Sequence, residues 1–214
     1  MNINIVAGGP VEHLPALTEF TKDSMWIGVD KGVAILLNNG IQPDYAFGDF
    51  DSVTEQEWNL IRSKVKNIRT FKPEKDEPDM ELAINWALAQ NAEKIRIFGG
   101  TGGRLDHFLG NLQLIIRPLL KDISCDIEII DRQNIIFAKG PGRHQIEKNE
   151  NKKFISFIPF SSDIEGLTLI GFKYPLKDRH IPLTSTLCIS NELIKDYGTF
   201  SFTKGILLVV RSND

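Results

Sequence analysis

The sequence predicts an α/β chain with an all-β addition. Residues 1–122 form a mostly parallel sheet with helices on both faces, and residues 123–214 form a C-terminal antiparallel β-sandwich. Two observations predict this. Short apolar runs alternate with helical stretches through the first half, as they do where crossover helices join parallel strands. From Cys125 onward, short β-like runs follow one another with turn signals at ~8–12-residue spacing and no strong helical period between them. The architecture changes near residues 121–125 with little linker.

In order, Ile3 to Ala7 is an apolar run closed by Gly8-Gly9-Pro10, a buried strand followed by a tight turn. Glu12 to Phe20 is weakly helical. Met25 to Val29 forms a second strand ending in Asp30-Lys31-Gly32, and Val33 to Leu37 suits a helix stopped at Asn38-Asn39-Gly40. Asp44 to Gly48 is a third strand. Thr54 opens a polar helix to Lys64, with Glu57 three residues on completing a capping box. Ile68 to Phe71 is a fourth strand. The next helix carries Leu82, Ala83, Trp86 and Ala89 on one stripe, with Asp76, Glu77 and Asp79 at or before its first turn, where acids complement the helix dipole. Lys94 to Phe98 is a fifth strand, and Leu105, Phe108, Leu109, Leu112 and Ile116 line one face of the helix after it.

In the second half the β-like runs are Asp126 to Asp131, Asn134 to Ala138, Gly142 to Ile146, Phe154 to Pro159, Leu167 to Phe172, Leu183 to Ser190, Thr199 to Thr203 and Ile206 to Arg211. Lys204-Gly205 has the composition of a tight hairpin turn between the last two.

Composition excludes more than it assigns. A net charge of -3 offers no general attraction to nucleic acid or an anionic membrane. No run approaches the ~20 apolar residues of a membrane span. Cys125 and Cys188 lie far apart in no metal-ligand spacing, and reduced thiols in a cytoplasmic protein are the expectation.

The chemistry gathers at the strand ends. In open parallel sheets ligands collect beyond the carboxyl ends of the strands. Five polar turns fall there: Gly8-Gly9, Asp30-Lys31-Gly32, Gly48-Asp49, Lys75 to Asp79, and Gly99 to Arg104. In an extended backbone Asp49 and Asp51 share a face while Phe50 points inward. Two adjacent acids suit a hard cation such as Mg²⁺ on substrate phosphates; a polar turn after a strand accounts for the same residues. Gly99, Gly100, Gly102 and Gly103, with Thr101 among them, expose backbone N–H groups before a helix, and Arg104 can add a bidentate contact to phosphate. The spacing is neither a Walker A loop nor a dinucleotide fingerprint. Asp106 and His107 follow in the first turn.

Taken together, Val29-Asp30-Lys31-Gly32, Pro43-Asp44, Gly48-Asp49-Phe50-Asp51-Ser52, Lys75-Asp76 with Asp79, Gly99 to His107, Leu176 and Ser190-Asn191-Glu192 resemble the thiamine pyrophosphokinases, in the family's order and over most of the chain. One departure is Pro78, where the family often has Thr. The resemblance implies a homodimer built from a catalytic nucleotide-binding domain (1–122) and a β-sandwich domain for thiamine binding and dimerisation (123–214), with sites at the subunit interface. It implies diphosphate transfer from ATP to the thiamine hydroxyl, releasing AMP. It further implies Mg²⁺ on Asp49, Asp51 and Asp79, and Lys75, Arg104 and Asp106 around the phosphates and thiamine. Asp30 and residues 99–102 would contact substrate, and Ser190 and Asn191 would help form the thiamine pocket. Asp79 or Asp106 would take the alcohol proton. A metal-dependent nucleotide-sugar glycosyltransferase and a non-catalytic nucleotide-binding module are the alternatives the residues leave open.

Overall fold

The computed structural model describes residues 1–70 and 76–214. Phe71, the expected end of the fourth strand, and Lys75 lie outside the described residues. The chain divides into two compact units, Met1–Arg132 and Gln133–Asp214.

In the first unit β1 (Asn2–Val6), β2 (Ser24–Val29), β3 (Tyr45–Gly48), β4 (Asn67–Thr70), β5 (Lys94–Phe98) and β6 (Asp126–Ile130) lie in the order β6-β5-β1-β2-β3-β4. Every neighbouring pair is parallel. β6, expected to open the second domain at 123, instead pairs with β5 from Lys94↔Asp126 to Phe98↔Ile130, so the compact units meet at 132/133. Its Ile127, Ile129 and Ile130 are buried.

The helices are α1 (Lys31–Asn38), α2 (Glu55–Lys64), α3 (Asp79–Ala89), α4 (Leu105–Ile115) and the short α5 (Arg117–Leu120). The weakly helical stretch before Thr21 resolves into two 3₁₀ turns, Val11–His13 and Leu17–Phe20. Side chains on β3 show how both faces are covered. Ala46 is buried with Val33 of α1 and Ile61 of α2. Its neighbours Tyr45 and Phe47 point the other way and meet Trp86 of α3, with ring centroids 4.4 and 5.9 Å apart. α2 starts at the expected capping box: the Thr54 hydroxyl accepts the Glu57 N–H and Glu57 accepts the Thr54 N–H.

Two expected helix faces are rotated from the pattern read in the sequence. In α3 the buried residues are Met80, Ala83, Ile84 and Ala87. In α4 they are Asn111, Leu112, Leu114 and Ile115, while Leu105 and Leu109 stay 75% and 59% exposed.

The second unit holds two antiparallel sheets. β7 (Asn134–Lys139), β9 (Phe154–Pro159), β12 (Asn191–Glu192) and β14 (Leu207–Ser212) take the order β12-β9-β14-β7. β8 (Gly142–Glu147), β10 (Ile164–Ile170), β11 (Leu176–Ile181) and β13 (Tyr197–Phe202) take the order β11-β10-β13-β8. Phe157, Leu207 and Val209 from one sheet and Leu167, Leu169, Phe200 and Phe202 from the other share one buried core. Lys204-Gly205 is not a hairpin turn: β13 pairs with β8 and β10, whereas β14 pairs with β7 and β9, so the chain crosses here between sheets. Residues 183–190 are turns rather than a strand, and β11, unforeseen, pairs along β10.

Candidate active site

Because the strands of the first unit are parallel, the turns after β1, β2, β3 and β5 emerge at one edge, and α3 begins after β4. The chain visits β1 to β4 on one side of β1 and then moves to β5 on the other, which opens a crevice at the β1–β5 junction. Two glycine turns meet there. The Gly9 N–H donates to the Gly99 carbonyl at 3.0 Å and the Ala7 N–H to the Phe98 carbonyl at 2.8 Å. A Cβ on Gly9 would collide with the Gly99 carbonyl, and one on Gly99 with the Ala7 carbonyl, so backbone approaches backbone with no room for a side chain.

Beside this crevice three acids converge. Carboxylate oxygens of Asp30, Asp49 and Asp79 all lie within 4.8 Å of one another, and all three residues are half-buried. Each comes from a different segment. Asp30 caps α1 with φ 49° and ψ −119°, a conformation that non-glycine residues rarely adopt and that costs on the order of 1–3 kcal/mol. Its N–H donates to the Phe47 carbonyl at 2.9 Å, tying the end of β2 to β3. Gly48 makes space for it, since a Cβ there would overlap Asp30 Oδ1. Asp49 follows β3 directly, and Asp79 is the first residue of α3.

The expected pair is arranged differently. Phe50 has φ 59°, so the backbone turns and does not continue extended, and Asp49 Oδ1 accepts the Asp51 N–H at 3.1 Å. Phe50 is buried beside Trp58, as its inward orientation required. Asp51 is exposed on the turn, outside the acid cluster. Sequence reading put Asp30 among substrate contacts; the Asp-Lys-Gly turn after β2 was the available signal for its place with the other acids. Three hard oxygen donors at this spacing suit Mg²⁺, whose ligands sit at about 2.0–2.1 Å.

The glycine-rich turn is built on polar anchors. Thr101 Oγ1 donates to Asp131 at 2.8 Å, and Asn111 Nδ2 donates to the Gly100 carbonyl at 3.2 Å. Gly99 and Gly102 have φ 66° and 77°. Arg104 precedes α4 and grips Asp106 with both edges of its fork, Nη2 to Oδ2 at 2.6 Å and Nε to Oδ1 at 3.1 Å. Both side chains are exposed, and hydrogen bonding to Arg104 holds the Asp106 carboxyl below its ordinary value. That weakens Asp106 as a proton acceptor and fixes Arg104 at the mouth of the glycine turn.

In the second unit Ser190 is exposed in a left-handed conformation, φ 57°, and its N–H donates to Ser156 Oγ. Asn191 is 3% exposed. Its Oδ1 accepts the Tyr174 and Glu192 N–H groups and its Nδ2 donates to the Tyr174 carbonyl, so its amide holds β12 in place.

Residues 17–127 match the family model for the thiamin pyrophosphokinase catalytic domain, and residues 143–207 match the model for the thiamin pyrophosphokinase vitamin B1 binding domain. The chain belongs to the thiamine pyrophosphokinase family. The thiamine pyrophosphokinase of Bacillus subtilis (strain 168) is 56% identical over 213 residues, 99% of each chain. A crystal structure of Bacillus subtilis thiamine pyrophosphokinase superposes with a TM-score of 0.92 at 54% identity, covering 100% of both chains. Thiamin pyrophosphokinase from Candida albicans, 15% identical, shares the fold with a TM-score of 0.85 over 99% of this chain and 89% of its own. Nucleotide-sugar transfer and passive nucleotide binding give way to this membership.

Proposed function

We propose that the chain transfers the diphosphate of ATP to the hydroxyethyl group of thiamine, giving thiamine diphosphate and AMP. The observation that carries this reading is the convergence of Asp30, Asp49 and Asp79 beside the glycine turns of the family's catalytic domain. Asp30, Asp49 and Asp79 would hold Mg²⁺, with Asp51 exposed on the adjoining turn. An ion held by these carboxylates would supply charge neutralisation and orientation of the phosphates.

The chain's own residues supply the rest. Backbone N–H groups of residues 99–102 and the Arg104 donors left over from its pair with Asp106 receive phosphate oxygens, and Asp106 orients that guanidinium. The family resemblance implies a further cation from Lys75. Attack at the β-phosphorus passes through a loose transition state that needs positioning and electrostatic stabilisation more than a strong base. Ser190 offers its hydroxyl at the surface for thiamine, while Asn191 shapes that stretch from beneath. The protein acts as a cytoplasmic homodimer, and the exposed Leu183, Leu187 and Ile189 belong to the surface a second copy covers.

Incubation with ATP, Mg²⁺ and thiamine, followed by mass identification of products, tests the reading. AMP and thiamine diphosphate should form together, each dependent on thiamine and on Mg²⁺. Release of ADP, or AMP formation without thiamine, overturns it.

A further inference from the structure

We infer that Arg117 is a positioning residue for the metal carboxylate on α3. The inference rests on the reading that Asp79 holds the metal.

Arg117 stands just after α4, at the first position of α5. Its fork spans two residues of α3: Nη2 donates to Glu81 Oε1 at 2.8 Å and Nη1 to Asn85 Oδ1 at 2.7 Å. Glu81 and Asn85 are four apart and therefore share a face of that helix. Both members of the Arg117–Glu81 pair are mostly covered, with side chains 23% and 24% exposed. Such a paired, bidentate contact is geometrically more exacting than a surface ion pair.

The start of α3 carries no side-chain cap. Pro78 occupies the cap position and makes no side-chain hydrogen bond to the first turn, where a Thr could have accepted one. The buried face of α3, Met80, Ala83, Ile84 and Ala87, seats the helix by apolar contact, and the Arg117 fork adds two directed hydrogen bonds to that seating. Asp79 lies two residues before Glu81, roughly 200° round the helix from it. A turn of α3 by roughly 20° would sweep a side-chain oxygen lying 5–6 Å from the axis through about 2 Å. Mg²⁺ demands near-ideal octahedral geometry, so a displacement of that size removes a ligand. Arg117 follows directly on α4, the helix that Arg104 precedes, so the same fork ties α3 to the segment carrying the phosphate arm.

Arg117→Met, Arg117→Lys, Asp79→Asn and Lys94→Met are compared with the parent. The last breaks the Lys94–Glu128 pair of the same unit, 2.9 Å, and serves as a purely structural control. Mn²⁺ binding is read by electron paramagnetic resonance without nucleotide, Mg²⁺ dependence by turnover, amide exchange in the first turn of α3 by mass spectrometry, and folding by melting temperature. Arg117→Met should weaken Mn²⁺ binding about tenfold, the lower end of what outer-shell partners contribute. It should raise the Mg²⁺ requirement while leaving the thiamine KM near the parent's, and speed exchange in the first turn of α3. Arg117→Lys, with one donor in place of a fork, should recover part of the binding. If Asp79→Asn weakens Mn²⁺ but Arg117→Met only lowers the melting temperature, as Lys94→Met does, the positioning role is wrong. If Asp79→Asn leaves Mn²⁺ unchanged, the metal assignment itself fails. Should Arg117→Met not fold, Glu81→Gln and Asn85→Ala ask the same question one contact at a time.

Discussion

At the scale of single residues, the acid cluster separates groups that look alike in the sequence. Asp49 and Asp51 are two residues apart, yet only Asp49 shares the cluster with Asp30 and Asp79. Asn in place of Asp30, Asp49 or Asp79 should lower kcat by at least about a hundredfold, since a metal-centred charge contribution is worth several kcal/mol and each 1.36 kcal/mol is tenfold. Asp51→Asn should cost clearly less under saturating Mg²⁺, and circular dichroism should report all four folded. Equal losses at Asp49 and Asp51 would return Asp51 to the metal shell. Arg104→Lys probes the fork: a point charge replaces a planar pair of donors, so KM for ATP should rise with little change in melting temperature. An unchanged KM would take Arg104 away from the phosphates.

At the scale of elements, α2 offers a measurable cap. Thr54→Ala should cost about 1 kcal/mol, read as a lower denaturant midpoint with the same slope. Glu57 makes the effect pH-dependent. Its hydrogen bonds with the Thr54 backbone and side chain lower its carboxyl from the ordinary 4.5. A depressed acid contributes stability that is complete above the unfolded value and lost as pH falls through the folded one. The Thr54→Ala deficit should therefore hold at neutral pH and shrink below about pH 4; a deficit constant down to pH 3 would mean that Glu57 takes no part. Local patterns of this kind were legible in the chain: capping boxes, strand ends and glycine turns all depend on neighbours in sequence. Where the reading failed, the deciding partner was distant. β11 (Leu-Lys-Asp-Arg-His-Ile) is an edge strand exposed along most of its length, so its charges protect an edge and conceal the strand. Residues 183–190 carry Leu183, Leu187, Cys188 and Ile189, but Leu183, Leu187 and Ile189 are exposed and the segment turns. Asp30 could be seen at a strand end, but its place beside Asp79 depends on α3 starting over β3, which no local pattern encodes.

At the scale of the whole molecule, the exposed apolar side chains are the unsettled account. Leu105 and Leu109 on α4, and Leu183, Leu187, Ile189 and Ile194 in the second unit, face solvent in a single chain. Sedimentation velocity should give a mass near twice 24.1 kDa at micromolar concentration, and Leu187→Lys, placing a charge among these exposed apolar side chains, should shift the protein toward monomer. A parent that sediments as a monomer throughout would remove the homodimer. Cys125 and Cys188 are both free thiols, and burial beside Asp126 pushes the Cys125 thiol up to about 11. Neither should react with a thiol reagent at neutral pH as fast as glutathione does.

The crossing at Lys204-Gly205 governs the order in which the second unit can be assembled. β14 runs between β9 and β7 and pairs with both along six residues each. Until the ribosome has made it, those two strands have no common neighbour, and their inner edges stay open to the wrong partner. All six strands of the first unit precede Arg132, so they are synthesised before any strand of the other half. Synthesis thus imposes a schedule, catalytic layer first and sandwich last, and a pause shortly before Leu207 would be the most hazardous moment in the making of this protein.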